Sequence, residues 1–353
     1  MKILLIKLNH LGDTLLLTPT IDFLSRRFPG LRLDVMVRSG CEGVLRGHPA
    51  LTNLVSIASP DEGGRSLATS LREGWQALRA VYRGGYDYAF ALTESDRSIF
   101  WLWLARARVR GINDADNQLG WKRRLFTHVS RFDWARQHQV LKDFRTVAEV
   151  IEPSAEPGPL SFHPHIDEGA LRQKLPFLNE AEEFAVIHPT SRWAYKQWLP
   201  ERWAVVADRL RDRYRLPVVF SCGPSRRERE SVRQIQALAR AEHWSSEGGL
   251  TLHELGHLLA RARLFLGVDT VAMHLAAAMQ TSTVALFGPS SEWSWHPWQC
   301  RHELVLGECT CKATRVFVCD KSRPYPCMER ITTEAVLAAA ARLLDGRPGE
   351  GRG

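Results

Sequence analysis

The sequence predicts an α/β protein of two doubly wound, Rossmann-like domains, and three observations carry that prediction. Short apolar runs alternate with helical patterns along the first half of the 353-residue chain, as in sheets whose parallel strands are joined by helices. A Pro-rich passage from 153 to 164 then breaks the rhythm and reads as the linker. The alternation restarts beyond it and reaches LFLGVDTVAMHLAAAM (264–279), where an apolar strand, a Gly-Val-Asp-Thr corner and an Ala-rich helix follow without a spacer. The expected domains are 1–160 and 161–353, facing a ligand cleft.

In chain order, KILLIKL (2–8) is the first strand. It starts like a secretion signal, but Lys7 interrupts the apolar run, Asp13 follows soon after and no small-residue cleavage site appears. The turn NHLGDTLLLTPT (9–20) leads into a helix expected over 13–27, with Gly12 allowing a tight turn and Asp13 at the helix start. Asp13 is a helix cap on one reading; on the other, its place at the end of the first strand makes it a base facing the cleft. RLDVMV (32–37), NLVSI (53–57) and YDYAFAL (86–92) are further strands, and SPDEGGRS (59–66) is a surface loop. SIFWLWLARARVRG (98–111) reads as a helix combining Phe100, Trp101 and Trp103 with Arg106, Arg108 and Arg110. Such a helix suits either a membrane interface or a core position followed by solvated charge.

The second half opens with the strand EFAVIHP (183–189). In HPTSRWAYKQWLPERW (188–203), Thr190, Ser191 and Lys196 follow that strand and offer two hydroxyls and one ammonium. This suits a diphosphate, although a capped loop with a surface lysine has the same residues. A helix over 201–214, the strand LPVVFSCGP (216–224) and helices from Arg226 and Leu252 come next. The strand 264–267 then ends near Asp269, and Thr270 is the expected cap of a helix whose opening amides, Val271 to Met273, would face an anion. His274 lies one helical turn past Thr270. STVALFGPS (282–290) is the adjacent strand, so two strand ends share a pocket. A last helix, 333–344, could pack back on the first domain.

Composition narrows the class. At 44% hydrophobic the chain can bury a full core, and no run approaches the roughly 18 apolar residues of a membrane span, so a cytoplasmic protein is expected. The net charge of +8 favours anionic partners. Nine Lys or Arg stand against three Asp between Arg97 and Arg136, with Lys122, Arg123 and Arg124 in the middle. No helix-turn-helix, RRM or zinc-finger signature accompanies them, so no nucleic-acid partner is expected. Of seven cysteines, Cys300, Cys309, Cys311, Cys319 and Cys327 crowd the C-terminal region. Their C-x-C-x7-C-x7-C spacing lacks the paired C-x2-C of common zinc sites, and a reduced surface loop is the simpler reading. HELGH (253–257) matches the zinc-protease pattern in His253, Glu254 and His257. Leu252, Leu255, Leu258 and Leu259 nevertheless make it an ordinary amphipathic helix, and no third-ligand signature follows.

Taken together, KLNHLGDTLLLTPT, HPTSRWAYKQW and FLGVDTVAMHLAAAMQTSTVALFGPS resemble the family-nine glycosyltransferases that build the lipopolysaccharide inner core, in order and spacing across nearly the whole chain. PTSRW with Lys196, and ALFGPS followed by Trp295-His296-Pro297-Trp298, look most like the heptosyltransferase III type, with types I and II as alternatives. The resemblance implies a GT-B fold, an acceptor-binding N-terminal domain, a donor-binding C-terminal domain and inverting transfer from ADP-heptose with neither metal nor cofactor. On that carry-over Asp13 matches the general base, Thr190, Ser191 and Lys196 the diphosphate loop, and Asp269, Thr270 and His274 the donor corner. Val271 stands where the commonest family version has Gly, and Glu228 in CGPSRRERE (222–230) looks like the residue that holds the nucleotide ribose. Lys122, Arg123 and Arg124 would meet the phosphorylated lipid A-Kdo-heptose acceptor, with the protein peripheral on the inner leaflet. The rivals are a zinc hydrolase built on HELGH and a noncatalytic sugar-nucleotide or nucleic-acid binding module.

Overall fold

Both apolar rhythms of the sequence become parallel sheets in a computed structural model that describes residues 1–58, 67–115, 117–133, 137–308, 319 and 325–346. The chain divides into Met1–His163 and Pro164–Gly353. In the first unit the strands are β1 (Lys2–Lys7), β2 (Arg32–Arg38), β3 (Asn53–Ile57), β4 (Tyr88–Ala91), β5 (Val109–Asn113) and β6 (His128–Ser130). They pair in the order β3-β2-β1-β4-β5-β6, all parallel. Ile3 to Ile6 are fully buried, as expected of a central strand covered on both faces. The helices are α1 (Leu11–Leu15), α2 (Thr18–Arg27), α3 (Leu67–Tyr82), α4 (Asp96–Leu104) and α5 (Gln139–Ile151).

Two helix expectations need correction. The helix expected over 13–27 is two helices, because the Thr18 hydroxyl donates to the Leu15 carbonyl (2.9 Å) and Pro19, inside the first turn of α2, has no N–H to continue α1. The helix expected over 98–111 stops at Leu104. Arg106 adopts a left-handed backbone (φ 50°), and the chain re-enters the sheet as β5. Its strand pattern is masked in the sequence by Arg110, whose guanidinium is folded back onto the carbonyls of Leu125 (2.9 Å) and Ala107 (3.2 Å). The loop expected over 59–66 lies outside the described residues.

The second unit carries β7 (Ala185–His188), β8 (Val218–Phe220), β9 (Trp244–Ser245), β10 (Leu264–Val268), β11 (Thr283–Phe287) and β12 (His302–Leu306) in the order β12-β11-β10-β7-β8-β9. Numbered within each unit, both sheets read 3-2-1-4-5-6, the doubly wound order, with the reversal of winding between β1 and β4 and between β7 and β10. The helices are α6 (Glu168–Lys174), α7 (Pro200–Tyr214), α8 (Arg226–Leu238), α9 (Leu252–Arg261), α10 (Val271–Ala278) and α11 (Glu292–Trp295). The C-terminal helix, Thr333–Leu344, packs against α7 and against β10, β11 and β12 of its own unit. Trp203 of α7 anchors the core, crossed edge-on by Trp198 at 4.9 Å between ring centroids.

Candidate donor and base sites

Lys196 and Asp269, 73 positions apart in sequence, meet at the reversal point of the second sheet: the ammonium donates to Asp269 Oδ2 at 2.6 Å. The register explains the meeting. His188 of β7 pairs with Gly267 of β10, so Thr190 and Asp269 each lie two residues beyond a matched pair, on adjacent strand ends. Lys196 closes a short 3-10 turn after β7. Burial pushes the Asp269 carboxyl up, but Lys196, His274 and the Ser290 hydroxyl outweigh it and hold the carboxyl below its ordinary pKa. An ammonium has three donors, so one bond to Asp269 fixes Lys196 and leaves donors for an anion.

The hydroxyls around this pair are informative. Thr270 is the N-cap of α10, with extended backbone (φ −148°, ψ 172°), yet its side chain makes no capping bond. The Met273 N–H goes to the Thr270 carbonyl instead (3.2 Å), so Met273 does not join Val271 in offering an amide to an anion. The buried Oγ1 atoms of Thr270 and Thr190 have no hydrogen-bond partner among the described residues, an arrangement that costs free energy unless something binds there. Ser191 is partly committed, its Oγ accepting from the Trp193 N–H at 3.2 Å. His274 faces the Trp295 ring, 6.3 Å between centroids.

Glu228 stands apart from that pair, at the exit of β8. It is the third residue of α8: its N–H donates to Ser225 Oγ (3.3 Å), and Ser225 Oγ donates to its Oε2 (2.8 Å). A Cβ at Gly223 would lie 2.4 Å from Glu228 Oε2, so a side chain there would push the carboxylate aside. The sequence reading missed His188. It ends β7, its Nδ1 lies 2.9 Å from Ser221 Oγ, and burial lowers its pKa to about 4, so the ring is neutral near pH 7. A histidine closing a buried strand immediately before the hydroxyl loop was the available signal.

In the first unit Asp13 is the third residue of α1 rather than its cap, which is His10; Asp13 Oδ2 accepts from the His10 N–H at 3.3 Å. Below it, Lys7 at the end of β1 forms a sealed pair with Asp143 of α5, 2.6 Å apart with both side chains at 0% exposure. Burial pushes the Asp143 carboxyl up to about 6 against the pull of Lys7 and Lys142, and the Asp13 charge adds to the rise. A cavity of about 510 Å³ opens at the ends of β4 and β5, lined by Thr93, Glu94, Asp96, Asp114, Gln118 and Lys122 among others. Two of the three basic candidates are tied to its carboxylates. Lys122 pairs with Asp96, and Arg123 lies 3.8 Å from Asp114; Arg124 is exposed.

HELGH is a structural helix start. Glu254 accepts from Lys174 (2.7 and 2.9 Å) and from the Thr251 N–H (2.7 Å), completing a capping box on α9, and His253 Nδ1 accepts from the His165 N–H (3.1 Å). Among the described residues no group of three or more His, Cys, Asp or Glu is placed to hold a metal ion. Cys309 and Cys311 of the suggested zinc knot lie outside the described residues, and Cys300, Cys319 and Cys327 are free thiols.

Two doubly wound units in one chain, each with the strand order 3-2-1-4-5-6, make up the GT-B architecture. The sequence pattern of glycosyltransferase family 9 (heptosyltransferase) matches residues 74–323, and the chain belongs to that family. Lipopolysaccharide heptosyltransferase 3 of Escherichia coli strain K12 is 27% identical to it over 354 residues, covering 96% of each chain. In fold it is similar to the glycosyl transferase family 9 structure from Veillonella parvula DSM 2008, with a TM-score of 0.78 and 21% identity over 98% of this chain and 97% of that one. It is likewise similar to E. coli ADP-heptose lps heptosyltransferase II, with a TM-score of 0.74 and 21% identity over 99% of this chain and 100% of that one.

Proposed function

We propose that this glycosyltransferase moves heptose from ADP-heptose to a sugar hydroxyl of the lipopolysaccharide inner core, as the heptosyltransferase III type, without a metal. The observation that carries the donor half is the Lys196–Asp269 pair beside two buried hydroxyls with no partner among the described residues. In the reaction the acceptor oxygen attacks the anomeric carbon, the bond from that carbon to the diphosphate breaks, and ADP leaves from the opposite face. Single displacement inverts the centre. Lys196 and the opening amides of α10 stabilise charge growing on the leaving phosphate, and Glu228 holds the ribose. Asp13, in the first turn of α1, takes the hydroxyl proton late, after the attacking oxygen has begun to bond and become acidic.

The first unit is the acceptor-binding one on this reading, and Lys122, Arg123 and Arg124 take acceptor phosphates. Because Lys122 and Arg123 already hold carboxylates of the cavity wall, an acceptor phosphate would exchange with Asp96 and Asp114 for them. The acceptor is lipid-linked, which puts the enzyme at the cytoplasmic face of the inner membrane. No helix among the described residues is long and apolar enough to cross a membrane. The deciding experiment is turnover of ADP-heptose with a set of truncated core acceptors in chelator. Heptose should appear on the acceptor with inverted configuration, fastest on the acceptor of the type III reaction. Absence of transfer with every acceptor would overturn the donor reading, and loss of activity restored by one divalent ion would overturn the metal-free step.

A further inference from the structure

We propose that the outer face of α3 and α4 is the surface by which the first unit rests on an anionic phospholipid bilayer; this rests on the reading of the acceptor as lipid-linked. The face is made of aromatic side chains that the fold leaves outside. Trp75 and Tyr82 on α3 are 66% and 51% exposed, and Phe100 and Trp103 on α4 are 45% and 58% exposed. Their spacing puts them on single helix faces: 75 and 82 are seven apart, 100 and 103 are three apart. After its polar first turn, α4 buries Ile99, Trp101, Leu102 and Leu104 on its other side, so from Ile99 to Leu104 it is apolar all round while only part of it is covered. Such a helix suits an apolar surrounding on both sides rather than water on one.

Arg106 joins the two helices into one surface. Its left-handed backbone, uncommon for a residue with a Cβ, turns the side chain back over α3. There its guanidinium donates to the Tyr82 hydroxyl (3.1 Å) and sits 5.3 Å from the Tyr82 ring centre. Arg79 and Arg83 flank Tyr82 at helical spacing, and with Arg106 and Arg108 four arginines are exposed along this face. Among the described side chains of the two helices the only acid is Asp96, which is held by Lys122. Trp and Tyr rings sit at headgroup level, where their apolar bodies and polar tips are both satisfied, and guanidinium groups at that level meet lipid phosphates. Charge complementarity therefore selects an anionic bilayer over a neutral one.

The test uses the full chain and sedimentation with vesicles of phosphatidylcholine alone or mixed with phosphatidylglycerol. The wild type should bind the mixed vesicles, more weakly as salt rises, and should bind the neutral ones poorly. Phe100→Ala with Trp103→Ala, and separately Arg79→Ala with Arg83→Ala, should each weaken vesicle binding by about tenfold or more, while turnover on a soluble truncated acceptor stays at the wild-type level. Wild type that ignores both vesicle types overturns the proposal, as do variants that bind as the wild type does. Loss of a soluble protein complex rather than of vesicle binding in those variants would assign the face to a protein partner and also overturn it. Turnover without vesicle binding sinks this surface alone, whereas vesicle binding without turnover on any acceptor sinks the transferase substrate reading alone.

Discussion

At the reversal point of the first sheet the lysine is Lys7, closed in with Asp143 at 0% exposure on both sides; at that of the second it is Lys196, whose side chain keeps 20% of its surface and shares Asp269 with open donors. The strand order is the same and the ion pair is of the same type, yet the placement differs. Lys7 belongs to the central strand and its partner to α5, the helix that follows the last strand of that sheet, so the pair fixes α5 on the sheet and has no access to a ligand. Asp269 ends a strand and Lys196 comes from a loop, so that pair sits at the mouth. A doubly wound sheet thus places a lysine–carboxylate pair at one location in two ways, and the depth of the lysine decides whether its ammonium is sealed in or keeps donors open.

The largest effect that tests this division is expected at Asp13, the residue of the first unit that lies above its sealed pair. Asp13→Asn keeps an oxygen for the His10 N–H and removes the proton acceptor, so turnover should fall by roughly 10²–10⁴-fold with ADP affinity and melting temperature close to wild type. An Asn variant with near-full turnover would leave Asp13 as only a helix-start residue. Next is Lys7→Met, which strands Asp143 and should cost about 3–5 kcal/mol in urea unfolding. The loss should shrink at acidic pH, because Asp143 can then take a proton, and adding Asp143→Leu should restore most of it. Full stability in the single variant would show that this pair does not hold the sheet.

Lys196→Ala should reverse the pattern, with kcat/KM down by roughly 10²–10³-fold, ADP binding weakened, and a smaller stability loss than Lys7→Met because water reaches the place of the ammonium. Wild-type kinetics would remove Lys196 from the site. The smallest effect concerns pH. His188, with a folded pKa of about 4 against an ordinary 6.5, stays neutral in the fold while the unfolded chain takes a proton. It therefore lowers stability as pH drops from 6.5 to 4, by at most roughly 3 kcal/mol. Asp143 acts oppositely: its folded pKa of about 6 lies above the ordinary 3.8, so it adds stability as pH falls through the same window. The two contributions oppose each other within the wild-type slope, to which Asp269 adds a loss of stability at acid pH, and His188→Asn should turn that slope toward greater stability at acid pH. An unchanged slope would mean that His188 is already protonated in the fold.

The strand–corner–helix unit around Asp269 was readable because each part has its own local signature: an apolar run, a turn and an Ala-rich helix. That Asp269 touches Lys196 was not readable, since the contact depends on β7 and β10 being neighbours across 73 positions. Lys7 read only as an interruption of an apolar run, and its partner lies 136 residues away. The break between α1 and α2 turns on the Thr18 hydroxyl reaching a carbonyl three residues back and on Pro19 beside it, neither of which hydrophobic periodicity registers. β5 was hidden by the arginines around it, because charge on long side chains says little about where their backbone runs. β9 is two residues long and β6 three, too short for a period to show.

The idle hydroxyl of Thr270 has a consequence for local motion. A helix that lacks its side-chain cap gives up about 1 kcal/mol at that end, so the first turn of α10 opens to solvent more readily than the rest of the second unit's core. An anion that takes those hydroxyl and amide donors completes the helix. Hydrogen exchange at Val271 and Ala272 would then slow on ligand binding even though neither residue moves, and the order of one helical turn would report how often the site is filled.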